Sequence, residues 1–258
     1  MTDSRGGPAE SKPPRVNVAL LAAEARAPFE AAALVPSLPF LLRSAPRGDG
    51  HDVVVIPPFG VGDVFTATLR LYLERLGYHC HRWRLREILA IHRLSTAAME
   101  RLAQISKRGS GKLTLVGHSL GGIYAREIAR HAPELVRSVI TVGSPFAGDL
   151  KSNFVWPMYE AVTGTRIANL PPDFLAHMNE NPPVPTTAIY SRSDGVASWQ
   201  SCIEPTGPQA ENIEVQGSHI GLLHNPMVLY VIADRLAQPL DDWKPFARDG
   251  WRAAVYRT

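Results

Sequence analysis

Along most of this chain, short runs of β-branched and leucine residues alternate with longer stretches of helical periodicity. The run Asp52-Val-Val-Val-Ile56, closed by Pro57, is apolar at every central position and predicts a buried strand. Tyr78 to Trp83, Leu113 to Val116, Val136 to Val142, Thr187 to Tyr190 and Asn212 to Val215 are the further strand candidates. Between the first two runs, Asp63 to Leu76 carries apolar residues at helical spacing and stops at Gly77, a fitting C-cap. Ile88 to Ser106 predicts a long helix ended by Arg108-Gly-Ser-Gly111. Leu120 to about His131 predicts another, and Pro226 to Ala237 a last one with proline in its first turn. Val16 to about Phe29 suits a helix or an outer strand, and its alanine content favours the helix.

Strands that alternate with helices at this spacing predict an α/β fold, a doubly wound and mostly parallel sheet with helices on both faces. Residues 1–15 are polar and lack an apolar core, so they read as a flexible tail before a single domain over 16–258. From about 147 to 185 the rhythm breaks: the stretch is rich in proline and aromatic residues and shows no strand. An insertion there sits over the carboxyl ends of the strands, where open α/β sheets bind ligands, and is expected to form a small helical cap.

Composition narrows the class without adding a partner. Hydrophobic residues are 45% and charged residues 20% of the 258, a globular balance, and the net charge of +3 is spread along the chain. The densest basic group, His79 to Arg86, reads as a solvated face, and no nucleic-acid partner is expected. The two cysteines, Cys80 and Cys202, are expected as free thiols in a reduced compartment. The longest apolar stretch, Ala31 to Leu42, is broken by Pro36 and Pro39 and is too short to span a bilayer. These features predict a soluble, cytoplasmic protein with no stable membrane anchor.

The candidate chemistry begins at Gly117-His-Ser-Leu-Gly121, a G-x-S-x-G pattern. It follows a strand run and precedes a helix, the strand–turn–helix setting that lets a serine sit on a strained turn with positive φ. Glycines two positions before and after leave room for the flanking strand and helix. Ser119 is therefore the candidate nucleophile, against the plainer reading of a helix N-cap. His118, next to it on a tight turn, reads as a packing or hydrogen-bonding residue rather than the base.

A serine hydroxyl needs a neutral imidazole to take its proton and a carboxylate to hold that imidazole. Four histidines follow Ser119: His131, His177, His219 and His224. His219 stands in a small-residue loop after the last strand and is the favoured base, with His224 its rival at a helix start. Asp194, in Ser191-Arg-Ser-Asp-Gly195 after the fifth strand, is the favoured acid; Asp173, Glu204 and Glu211 are the alternatives. Two backbone amides should stabilise the oxyanion of acyl transfer. One belongs to Leu120; the other comes from Pro57-Pro-Phe-Gly60, where Phe59, the first residue with an N–H, is favoured over Gly60, the second.

With these pieces in order, the chain resembles the α/β-hydrolase superfamily, and within it the bacterial lipase- and esterase-like branch. The matching segments are Pro57-Pro-Phe-Gly60, Gly117-His-Ser-Leu-Gly-Gly122, Thr141-Val-Gly-Ser-Pro145, Tyr190-Ser-Arg-Ser-Asp-Gly195 and Gly217-Ser-His219. The resemblance implies the triad Ser119, Asp194 and His219. Relatives often carry His-Gly in the oxyanion loop, where this chain has Pro57-Pro58. Hydrolysis of a carboxylic ester through an acyl-enzyme is the expected activity, with Phe59, Phe146, Trp156 and Tyr159 as candidate substrate-binding residues. A thioesterase or acyltransferase on the same triad, or a binding protein that only keeps the fold, are the alternatives. No metal-ligand spacing, P-loop or dinucleotide fingerprint is present, so no cofactor or metal is expected.

Overall fold

A strand of branched aliphatics presents apolar side chains on both faces, so it needs cover on both. The computed structural model, which describes residues 18–84, 91–109, 111–148 and 153–256, provides that cover. The strands are β1 (Asp52–Ile56), β2 (His79–Arg82), β3 (Leu113–His118), β4 (Val136–Val142), β5 (Thr186–Ser191) and β6 (Ala210–Val215). They form one sheet in the order β2-β1-β3-β4-β5-β6, and every neighbouring pair is parallel. The mostly parallel sheet expected from the sequence is thus wholly parallel.

Alternate strand residues feed two apolar cores. Val53 and Val55 turn to one face, where Leu34 and Leu41 of α2 (Ala27–Ser44), Leu69 and Leu73 of α3 (Ala67–Leu76) and Val228, Leu229, Ile232 and Leu236 of α8 (Pro226–Leu236) pack. Val54 and Ile56 turn to the other. There they meet Leu102 of α4 (Thr96–Arg108), Ile123 and Ile128 of α5 (Leu120–His131) and the segment after β4. That segment holds α6 (Val155–Thr163) and α7 (Pro172–His177), and no strand among its described residues. The chain crosses from one side of the sheet to the other between β1 and β3, so the loops leaving those two strands flank the topological switch point.

Several boundaries differ from those the pattern predicts, each for an identifiable reason. The N-terminal segment is helical, as α1 (Val18–Ala23), a 3₁₀ turn (Glu24–Arg26) and α2. α2 runs through Pro36 and Pro39 and buries only Ala27, Leu34 and Leu41, so packing overrides proline's local penalty. The helix predicted from Asp63 starts at Ala67, because the Asp63 carboxylate instead accepts the amides of Trp83 and Arg84 at 2.8 and 2.9 Å. The helix predicted from Ile88 starts at Thr96, where Ser95 caps it by accepting from the Ala98 amide at 3.1 Å. Its predicted first residues, 88–90, lie outside the described ones, as does the whole 1–15 tail. A short α9 (Trp251–Val255) has no counterpart in the predicted elements. Cys80 and Cys202 are free thiols, as expected. No described helix is long and apolar enough to cross a membrane.

One buried ion pair ties α5 to the connection between β5 and β6. Arg126 and Glu204 are 1% and 0% exposed and bonded to each other. Arg126 also donates to the carbonyls of Met178 and Glu180 at 3.2 and 2.7 Å, and its guanidinium lies 3.7 Å from the Phe146 ring centroid. Losing one partner strands a buried charge, whereas losing both removes the problem along with the bond. Glu204→Leu is therefore expected to cost about 3–5 kcal/mol in urea unfolding. Arg126→Met/Glu204→Leu should recover much of that; a double variant no more stable than the single would contradict the assignment.

Candidate active site

β3 delivers Ser119 to the carboxyl edge of the sheet on a strained backbone. Ser119 has φ 55° and ψ −127°, and its amide donates to the Val142 carbonyl at 2.9 Å. With Arg84 it is one of two described non-glycine residues with positive φ. Such strain persists only where surrounding packing enforces it. The packing here is severe: a Cβ at position 117 would lie 2.4 Å from the Gly121 carbonyl oxygen, and one at 121 would lie 2.4 Å from that of Pro57. Residue 119 stands at the N-cap position of α5, yet its hydroxyl caps no amide, which disposes of the N-cap reading.

Asp194 and His219 come from separate loops, after β5 and β6, and meet in a hydrogen bond of 2.7 Å from Nδ1 to Oδ2. The second Asp194 oxygen accepts the amides of Val196 and Ala197 at 2.8 and 2.7 Å, which fixes the carboxylate's angle. A carboxylate accepts only, so Nδ1 carries the proton and Nε2 of the neutral ring is left with a lone pair. Burial favours the neutral ring, but the Asp194 carboxylate beside it, and Glu24 beyond, outweigh burial and hold the His219 pKa above its ordinary value.

The end of β3 reaches this pair through His118. Its Nε2 donates to the His219 carbonyl at 3.0 Å, and the two rings are 4.9 Å apart. His118 therefore does the hydrogen-bonding work expected of it. Burial with no carboxylate partner drives its pKa well down, so it stays neutral. Among the described residues, Ser119 Oγ makes no hydrogen bond to His219. Bonds between a nucleophile and its base are often long before substrate binds.

The amides proposed from sequence for an oxyanion are unspent: among the described residues neither Phe59 nor Leu120 donates its N–H to an acceptor. The contact of Gly121 with the carbonyls of Ile56 and Pro57 sets the start of α5 directly against that loop. Phe59, Phe146, Trp156 and Tyr159 are all buried in one apolar cluster. Phe59 packs on Tyr159 and Tyr159 on Trp156, at ring distances of 5.8 and 5.9 Å, while Phe146 faces Arg126. On the opposite side of α6, Phe154, Met158 and Val162 are exposed.

The rival side chains are engaged elsewhere. His224 packs edge-on against Phe65, and neighbouring Asn225 is the residue that caps α8, accepting from Met227 at 2.9 Å. His131 bonds the Glu127 carbonyl, and His177 the Glu127 carboxylate. Glu204 is paired with Arg126, Glu211 with Arg235, and Asp173 lies in the first turn of α7. The structure adds a group that sequence reasoning missed, Glu24, whose carboxylate reaches both the acid and the base loops. No motif marks it; it acts across more than 170 positions of sequence. Among the described residues no group of three or more His, Cys, Asp or Glu side chains could hold a metal ion.

Comparison with known proteins gives a consistent picture. A family model described as the alpha/beta hydrolase family matches residues 20–257. A stretch of 51 residues is 43% identical to triacylglycerol lipases of Pseudarthrobacter phenanthrenivorans and Burkholderia plantarii. That stretch spans 20% of this chain and only 16% and 14% of those two proteins. Among solved structures, Aspergillus fumigatus lipase B superposes at a TM-score of 0.55 with 17% identity, over 76% of this chain and 55% of that one. A Paleococcus ferrophilus monoacylglycerol lipase does so at 0.52 with 15% identity, over 75% and 96%. At such identities these likenesses speak to the fold.

The packing at the Ser119 turn yields a stability test. Gly121→Ala places a methyl against backbone that has nowhere to move, and is expected to destabilise by about 1–3 kcal/mol or to prevent folding. Gly62→Ala, where an added Cβ meets nothing within 4 Å, should stay within about 0.5 kcal/mol of wild type. Denaturant unfolding of the two variants checks the contrast, and equal midpoints would refute it.

Proposed function

The chain belongs to the alpha/beta hydrolase family, and from that premise we propose that it hydrolyses carboxylic esters, with Ser119 as nucleophile, His219 as base and Asp194 as the acid that orients it. The observation that carries this reading is the Asp194–His219 hydrogen bond at the sheet edge where Ser119 sits on its strained turn. His219 Nε2 takes the Ser119 proton as Oγ attacks the ester carbonyl. The amides of Leu120 and Phe59 receive the oxyanion, and the imidazolium returns its proton to the departing alkoxide. Water, activated by the same imidazole, then releases the acid from the acyl-enzyme. We take the apolar cluster of Phe59, Phe146, Trp156 and Tyr159 as the acyl side of the site, which favours an uncharged acyl chain of small to medium length. The lipases that share 43% identity with this chain over 51 residues support the ester assignment.

A series of p-nitrophenyl esters from acetyl to lauroyl tests the proposal. Wild type should turn over the shorter members. Ser119→Ala should fall to background, and Asp194→Asn should lose about 10³–10⁴-fold in kcat/KM by trapping the wrong tautomer. A fluorophosphonate probe should label wild type and not Ser119→Ala. Retention of activity by Ser119→Ala, or absence of labelling in wild type, would sink the assignment.

The pH profile follows from the same geometry. Only the neutral imidazole accepts the Ser119 proton, and the His219 pKa lies above the ordinary 6.5. Activity should therefore fall as pH drops through a single acidic limb whose midpoint lies above 6.5, staying level on its alkaline side. A kcat/KM profile on p-nitrophenyl butyrate reads this midpoint, and a value below 6.5 would contradict the arrangement.

A further inference from the structure

We propose that Glu24 is a positioning residue for the Asp194–His219 pair: its single carboxylate accepts backbone amides from both loops and holds acid and base in register. The inference rests on the reading of that pair as acid and base. Glu24 lies in the 3₁₀ turn between α1 and α2 and is 7% exposed. Its Oε1 accepts from Gly195, the residue after the acid, at 2.8 Å and from the amide of His219 itself at 2.9 Å. Its Oε2 accepts from Ile220 at 3.0 Å. These are charge-assisted bonds to three amides on two separate loops, the kind that fixes geometry most firmly.

The neighbours of Glu24 extend the same grip. Glu30, one turn into α2, accepts from the Ser218 amide at 3.0 Å and the Ser218 hydroxyl at 2.6 Å. Arg26 pairs with Glu30 at 2.8 Å and donates to the carbonyl and hydroxyl of Ser193 at 2.7 and 3.0 Å. Residues 193, 195, 218, 219 and 220 are thus all bonded to one hook of seven residues, 24–30. Both loops are shaped to admit it. A Cβ at 195 would lie 2.2 Å from the Leu20 carbonyl oxygen, and one at 221 would lie 1.9 Å from Glu30 Oε2. Gly195 thus makes room for the backbone of α1, and Gly221 for Glu30 of the hook.

Glu24 also acts by charge. The titratable groups facing His219 are Asp194 from the β5 loop, Glu24 from the hook and His118 from the end of β3, with His224 behind His118. Two of these are carboxylates that favour the imidazolium, the charged form that His219 takes as Ser119 gives up its proton. Position and charge can be separated, because aspartate keeps the charge and shortens the reach by one methylene.

The test is kinetics on p-nitrophenyl butyrate across pH, together with NMR titration of the histidine rings, for wild type, Glu24→Gln and Glu24→Asp. Glu24→Gln is expected to lower kcat about tenfold to a hundredfold with KM within about twofold. It should also move the acidic limb, and the His219 resonance with it, to lower pH. Glu24→Asp should lose kcat while leaving the limb in place. A folded Glu24→Gln with wild-type kcat and an unmoved limb overturns the proposal. If Glu24→Gln does not fold, Glu24→Asp decides: lost kcat with the limb in place supports it, and wild-type kcat overturns it. The resonance shift needs no turnover. A protein that hydrolyses no ester yet shows His219 moving in Glu24→Gln would refute the ester reading and leave the Glu24 coupling standing.

Discussion

A buried imidazole keeps its basicity only where a carboxylate is held against it, and everything else at this sheet edge serves the 2.7 Å bond between His219 and Asp194. Neither residue is positioned by its own strand alone. Asp194 is aimed by the amides of Val196 and Ala197, and the backbone of His219 is held by His118 from one side and Glu24 from the other. Without such support a hydrogen bond between two loops would be one of many open to them; with it, the ring has one tautomer and one orientation.

The sheet explains why these loops meet at all. In a wholly parallel sheet every strand ends at the same edge, so the loops after β1, β3, β5 and β6 gather there without further design. Closeness of backbone does the rest. α5 begins so tightly against β1 and the end of β3 that positions 117 and 121 have no room for a side chain, and Ser119 is forced to positive φ between them. Strain at one residue is thereby held by the cores on both faces of the sheet, which are much larger than the strain itself.

What the sequence made legible is local or periodic. The strand runs, the glycines around Ser119 and the small-residue loops holding Asp194 and His219 depend on neighbours within a few positions, and the structure places them as the pattern predicts. Boundaries failed where a distant or competing partner took over. Asp63 serves the end of β2 rather than a helix start, and Ser95 captures the first turn of α4. α2 continues through two prolines because Leu34 and Leu41 are buried beneath it. Glu24 and the Arg126–Glu204 pair were invisible for the same reason: their meaning lies wholly in contacts made far along the chain.

Two histidines 4.9 Å apart show how placement of charge, rather than residue type, assigns a role. Both are buried, and burial by itself pushes each towards the neutral form. His118 faces a carbonyl and another imidazole; burial outweighs its bond to that carbonyl, and it remains a neutral donor. His219 faces Asp194 directly and Glu24 beyond, and there the balance reverses. The amides that satisfy those two carboxylates are neutral, so they fix position without cancelling the negative field. Arg126 and Glu204 do the opposite beside the segment after β4, where cation and anion are matched one to one. Around the proposed base, by contrast, the carboxylates of Asp194 and Glu24 are bonded to amides and an imidazole, and their negative field is left to act on it.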